Sequence, residues 1–270
     1  MARIFITGSA DGLGRAAVQT LLAEGHQVVV HLRARNRRAA VQDLVDQGAA
    51  VTIGDLADLQ QTLDLARQVN DLGVMDAVIH NAGVYTGPHI FPVNIVAPYL
   101  LTALIQRPKR LIYLSSSMHR SGRAVLDDMD WSGKSCTSPY TDSKLFVTTL
   151  AAAAARLWPD VLTNSVDPGW VPTRMGGPDA TDDLRLGHLT QVWLATSDDA
   201  EACTSGGYWH HQKRMEPHPA VHSGDFQANL LDALARATGT SLLQSMDMRA
   251  RLVVDDIDAR CASNSPASPS

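Results

Sequence analysis

Along the chain, short runs of apolar residues alternate with longer stretches whose apolar positions recur at helical spacing. The runs fall at 3–7, 27–32, 50–53, 77–80, 110–114, 161–166 and 206–210, each the length of a strand rather than a helix. Several are unbroken, Val28-Val29-Val30 among them, which marks strands covered on both faces. Helices are expected over 13–23, around 94–105 and over the alanine-rich 144–157, with a further helical segment after the arginines at 33–38. This alternation predicts an α/β fold, a doubly wound parallel sheet of about seven strands with helices on both faces. No repeat or second hydrophobic pattern interrupts it. Residues 1–260 are therefore expected to form one domain, with an extension after about 210 and a disordered tail over 261–270, where Ser, Pro, Ala and Asn dominate.

Chemistry-bearing residues gather where the strands should end. Thr7-Gly8-Ser9-Ala10-Asp11-Gly12-Leu13-Gly14 lies between a strand and a helix, the context in which glycine spacing points to phosphate binding. Glycines let the main chain turn tightly and approach a pyrophosphate, which then faces the free N–H groups of the helix start. Tyr140 and Lys144 stand four residues apart where a helix begins, so both side chains share a face. A lysine cation beside a phenol is expected to lower its pKa toward the working range of an acid or base. Ser116 ends a predicted parallel strand, and ligands of open α/β sheets bind beyond such ends.

Taken in order, the T-G-x-x-x-G-x-G turn, Asn81-Ala82-Gly83, Asn94, Ser116, Tyr140-x-x-x-Lys144 and Pro168-Gly169 resemble the short-chain dehydrogenase/reductase family over roughly residues 3–210. The long segment between Ser116 and Tyr140 looks like the family's retinol-dehydrogenase-like branch. The resemblance implies a Rossmann domain in which Ser116 hydrogen-bonds the substrate oxygen, Tyr140 gives or takes its proton, and Lys144 also binds the nicotinamide ribose. Asn94 takes the place of the family's helix asparagine, which holds a relay water. Three consecutive serines leave the catalytic position open by one residue; the family order of apolar residue, serine, catalytic serine selects Ser116. For the cofactor, the resemblance implies Thr7, Gly8, Asp11, Gly12, Leu13 and Gly14 at the pyrophosphate, Asp55 and Leu56 at the adenine, and Asn81, Ala82 and Gly83 along the floor. Pro168, Gly169, Val171 and Thr173 would cover the nicotinamide, beside Tyr140 and Lys144. His119, Trp131, Trp170 and Met175 are candidate substrate contacts, the last from an irregular segment at 174–183 expected to act as a mobile lid.

Charge refines this picture at one place. The chain carries 23 basic and 28 acidic residues, a net −5 that offers no reason to expect a nucleic-acid partner. Yet arginines cluster at 33, 35, 37 and 38, just after the second strand, where an arginine accommodates a ribose 2′-phosphate. NADP(H) is therefore expected over NAD(H), with Arg33 at the phosphate. Three widely spaced cysteines, Cys136, Cys203 and Cys261, form no C-x-x-C pair, which fits a reducing cytoplasm. No apolar run is long enough to span a bilayer. No metal is expected either, since His210 and His211 would point to opposite sides of a strand. The expected function is reduction of a small carbonyl compound, or oxidation of the corresponding alcohol, by an enzyme that pairs as a dimer or tetramer. A nucleotide-sugar epimerase or dehydratase and a non-catalytic NADP(H)-binding regulator are the alternatives.

Overall fold

Seven strands pair in parallel in the order β3-β2-β1-β4-β5-β6-β7, and an eighth, β8, adds to β7 antiparallel. They are β1 (Arg3–Ile6), β2 (Gln27–Leu32), β3 (Ala50–Ile53), β4 (Ala77–His80), β5 (Arg110–Leu114), β6 (Leu162–Asp167), β7 (Tyr208–His210) and β8 (Lys213–Met215). This computed structural model describes residues 1–134 and 139–242. The proposed tail at 261–270, the boundary at 260, Cys136 and Cys261 lie outside the described residues.

Side chains alternate across each strand, so each strand feeds two cores. Phe5, Val29, Val78, Leu111 and Tyr113 face α3 (Leu59–Asp71), α4 (Ala97–Leu104), α5 (Tyr140–Leu157) and α7 (Gly224–Thr238). Ile4, Ile6, Val28, Val30, Ile79, Ile112 and Leu114 face α1 (Gly12–Ala23) and α6 (Leu184–Thr196). A short helix, α2 (Gln42–Asp46), follows a 3₁₀ turn over Arg35–Val41. From β1 the chain winds outward to β2 and β3, then returns to β4 on the other side of β1. That reversal opens a crevice beyond the strand ends, where such sheets bind ligands.

Three departures from the expected elements have local causes. The helix over 94–105 divides into a π turn, Pro92–Val96, and α4, with Pro98 in the first turn of α4. Helix α5 starts at Tyr140, four residues before the alanine-rich stretch suggests, directly after an extended Pro139. Strand β8 follows a two-residue turn in which His211 (φ 48°) and Gln212 (φ 60°) are left-handed, the geometry of a tight hairpin. No sequence signal announces it, because Lys213, Arg214 and Met215 are all exposed and show no apolar alternation.

Candidate active site

The glycine-rich turn is tied to its neighbours before any ligand is considered. Thr7 Oγ1 accepts the Ala82 N–H at 3.0 Å, and Asn81 Nδ2 donates to the carbonyls of Thr7 (2.9 Å) and Gly8 (3.1 Å). The Gly8 N–H donates to His31 Nδ1 at 3.0 Å, while His31 Nε2 donates to the Gly54 carbonyl at 2.7 Å. Burial without a counter-charge pushes His31 down to about 4, so it stays neutral and keeps the lone pair that Gly8 needs. Two glycines are dictated by space. Gly8 is left-handed at φ +64°, with Ala82 Cα 2.9 Å from where a Cβ would stand; at Gly14 a Cβ would stand 2.5 Å from Asn81 Nδ2 and from the Gly8 carbonyl.

A dinucleotide fits this cradle. Asp11 precedes α1 without its carboxylate capping the first-turn N–H groups, and Asn81 Oδ1 is buried without a partner. The turn leads into a cavity of about 710 Å³ lined by Gly8, Asp11, Gly12, Leu13, Asp55, Leu56, Asn81, Ala82 and Gly83, and also by Tyr140, Lys144, Pro168 and Thr173. Arg33 and Arg37 line it too, Arg33 Nε 3.3 Å from Asp55 Oδ2 and Arg37 Nη2 3.1 Å from Asp11 Oδ2. Thr7, Gly14, Gly169 and Val171 stand behind the wall and shape it. Val171 is buried, and its carbonyl accepts the Thr173 N–H at 2.8 Å.

The three serines after β5 separate cleanly. Ser115 touches the cavity, yet its hydroxyl is turned back to Thr148 Oγ1 at 2.6 Å. Ser117 is exposed. Ser116 Oγ accepts the Met118 N–H at 3.2 Å and lies near enough to the Tyr140 phenol to lower its pKa, although Ser116 itself does not line the cavity. One helical turn on, Lys144 is buried with Nζ 5.5 Å from the Tyr140 ring centre and 2.7 Å from the Leu114 carbonyl. Burial pulls Lys144 down to about 8, with Asp167 opposing. The expected lowering of Tyr140 is corrected: burial pushes the phenol above its ordinary value, the nearby Ser116 hydroxyl opposes this, and Asp167 and Tyr85 reinforce it. Asn94 Oδ1 and Lys144 Nζ converge on Gly83, 3.5 and 3.6 Å from its open Cβ position. Both Asn94 amide hydrogens are engaged, by the Val84 carbonyl (2.9 Å) and Ser143 Oγ (3.0 Å), so its side chain braces the floor against α5 and has no N–H left for a water.

Of the candidate substrate contacts, only Met175 lines the cavity. Trp131 is stacked on Phe91 (5.3 Å) and tilted against Phe146 (5.9 Å) in the core. His119 is fully buried, with both ring nitrogens bonded to main chain. Trp170 is half exposed and donates from Nε1 to the Gly176 carbonyl. That bond and the Asp182 carboxylate, which accepts the Trp170 N–H at 2.6 Å, close the 168–183 segment on itself. His210 and His211 are corrected as well: His211 has left the strand, and the two rings stack at 3.8 Å. Among the described residues no group of three metal-ligating side chains occurs.

Sequence reasoning passed over His31, Tyr85 and Asp167. Tyr85 lines the cavity, half exposed, edge-on to Tyr140 at 4.8 Å. Asp167, an acid at a strand end before Pro-Gly, was the legible signal; it is buried and accepts from Tyr208 Oη at 3.2 Å and from the Gly169 N–H at 3.0 Å.

Comparison with known proteins agrees with this architecture. Residues 2–106 match the family described as short chain dehydrogenase. The protein named short-chain dehydrogenase chyC, from Penicillium rubens, is 36% identical over 257 residues, covering 90% of this chain and 99% of that protein. Retinol dehydrogenase 13 of Homo sapiens is 24% identical over 279 residues, covering 87% and 84%. The structure of a blue fluorescent protein from a metagenomic library, in complex with NADPH, superposes with a TM-score of 0.64 at 23% identity, over 77% of this chain and 95% of that one. The sheet order and the glycine turn at its reversal define a Rossmann-fold oxidoreductase. Within that class, the chain belongs to the short-chain dehydrogenase/reductase family.

Proposed function

We propose that the protein is an NADP(H)-dependent carbonyl reductase, running in reverse as an alcohol dehydrogenase, on a small-molecule carbonyl or alcohol substrate in the cytoplasm. The observation that carries this reading is that Tyr140 and Lys144 line the same cavity as the glycine turn, with Ser116 near enough to the phenol to shift its pKa. NADP(H), when bound along that cavity, supplies or accepts the hydride. Tyr140 holds its proton, because burial keeps the phenol neutral, and delivers it to the substrate oxygen as the carbonyl is reduced. Ser116 donates a hydrogen bond to the same oxygen and so stabilises the charge that develops there. Lys144 is held in place by the Leu114 carbonyl and presents a cation to the cofactor ribose. Beyond β7 the described chain supplies only β8, a 3₁₀ turn and α7, which is little for a nucleotide-sugar lobe.

A panel of ketones and aldehydes, followed by loss of NADPH absorbance, tests the reading. Oxidation that depends on carbonyl substrate supports it; turnover of nucleotide sugars alone overturns it. NADPH is expected to outperform NADH, because a 2′-phosphate exchanges the Arg33–Asp55 and Arg37–Asp11 pairs for charge-assisted bonds of its own. Arg33→Ala should narrow the NADPH preference about tenfold, the low end for a hydrogen bond to a charged group, since the Arg33 side chain is 76% exposed. Equal kcat/KM ratios for wild type and variant would refute the assignment.

A pH dependence follows from Lys144. Its cation is present below about 8 and lost above, whereas Tyr140 remains protonated throughout that range. NADPH affinity, read by fluorescence titration, should be flat from pH 6 to 7.5 and weaken through pH 8 to 9. An affinity unchanged up to pH 9.5 contradicts the ribose role.

A further inference from the structure

We propose that His119 is a positioning residue that sets the catalytic serine and fastens it to the chain segment after β8. This role rests on the reading of Ser116 given above. The imidazole is fully buried, with Nδ1 2.7 Å from the Ser116 carbonyl and Nε2 3.0 Å from the His218 N–H. A carbonyl only accepts and a main-chain N–H only donates, so the proton must sit on Nδ1 and Nε2 must be bare. Ser116 is thereby held at its carbonyl by the His119 imidazole, alongside the His119 main-chain N–H at 3.1 Å, and at its Oγ by the Met118 N–H. With that peptide plane fixed, the Ser116 hydroxyl is kept in one setting near the Tyr140 phenol, whose pKa it lowers.

The other end of the imidazole extends the brace. His218 Nδ1 accepts the Ala220 N–H at 3.1 Å and caps the turn Pro219–His222, which packs against α5, the helix that carries Tyr140 and Lys144. Arg120 Nη2 makes a second tie, donating to the Glu216 carbonyl at 2.7 Å. Serine and tyrosine come from different elements, and the 216–222 segment closes the loop between them.

The environment keeps His119 neutral. Arg120 from its own turn and His218 from the far segment disfavour a second proton, Asp167 at the end of β6 favours one, and the Tyr208 ring of β7 lies 4.6 Å away. On the α5 side, Asp142 is engaged by Arg123 at 2.9 Å. Burial outweighs these charges and holds the imidazole below its ordinary value. A second proton would also set an N–H against the His218 N–H.

Two measurements test the proposal. Long-range ¹⁵N–¹H NMR of wild-type protein at pH 7 should show His119 as the neutral Nδ1–H tautomer; an Nε2–H tautomer or an imidazolium overturns it. For kinetics, His119→Asn keeps a donor near the Nδ1 position, His119→Gln keeps an acceptor near the Nε2 position, and His119→Ala keeps neither. His119→Ala should lose at least tenfold in kcat with NADPH Kd within twofold, and His119→Asn should regain more of that loss than His119→Gln. A kcat within twofold for His119→Ala, a parallel loss of NADPH binding, or no advantage of Asn over Gln sinks the idea. Should the alanine variant fail to fold, the tautomer and the Asn/Gln pair decide. Tyr140→Phe measured alongside separates the two readings: if it keeps turnover, the site assignment itself has failed, whatever the tautomer.

Discussion

Tyr140→Phe should lower kcat by about 10²–10⁴-fold, the usual worth of a positioned proton donor, and leave NADPH affinity within a few-fold of wild type. The substitution removes one oxygen and little else. The ring keeps its edge contact with Tyr85, and Lys144 keeps its bond to the Leu114 carbonyl, so the cofactor end of the cavity is undisturbed. Ser116 keeps its bond from the Met118 N–H. Steady-state absorbance assays with a substrate from the carbonyl panel, paired with NADPH fluorescence titration, give both numbers. Because Ser116 and Tyr140 act on one oxygen, adding Ser116→Ala should cost far less in the Tyr140→Phe background than in wild type. Full turnover by the phenylalanine variant would remove the proposed chemistry altogether.

The opposite phenotype is expected at Gly14. Its Cα faces the site where Asn81 Nδ2 bonds the carbonyls of Thr7 and Gly8, and a methyl group there would stand 2.5 Å from Nδ2 and from the Gly8 oxygen and 3.0 Å from Ser9 Cα. Two of these three atoms are main chain of the glycine turn itself, so relief requires the turn and the start of α1 to part. Overpacking of this kind costs about 1–3 kcal/mol. Charged to cofactor binding, that is a rise in Kd of about 5–150-fold. Gly14→Ala should therefore bind NADPH weakly but, at saturating NADPH, approach wild-type kcat, since Ser116 follows β5 and Tyr140 and Lys144 lie on α5, all away from the turn. Unaltered NADPH affinity would mean that the turn does not hold the dinucleotide.

Reading the sequence located the inner strands well because burial on both faces leaves an unbroken apolar run: 27–32, 77–80 and 110–114 coincide with β2, β4 and β5, and 50–53 with β3 at the sheet's edge. The same logic fails where burial is one-sided or absent. β8 is a row of exposed side chains held only by its pairing to β7, and nothing in Lys-Arg-Met specifies that partner. The π turn at Pro92–Val96 was equally hidden, since an extra residue in a helical turn leaves no trace in apolar spacing. For the site, motif order marked Ser116, Tyr140 and Lys144, but the direction of the phenol's shift was misjudged. Proximity of a cation can be inferred from an i, i+4 spacing; the depth of burial that outweighs it cannot. Likewise Trp131 and His119 lie in the right stretch of chain for substrate contacts. What removes them from the cavity is their packing against Phe91, Phe146 and Tyr208, residues 85 or more positions away in one case and on other elements in all.

The short antiparallel strand has a consequence for self-association. In an open sheet, the last parallel strand offers a row of unpaired N–H and carbonyl groups, through which two copies can join edge to edge. Here β8 occupies that row along Tyr208, Trp209 and His210. What it presents in turn is three residues long, fully exposed and headed by Lys213 and Arg214, a charged, brief margin that repels its own copy. Among the described residues, this short charged margin disfavours joining two copies by extending the hydrogen-bond ladder at this end of the sheet.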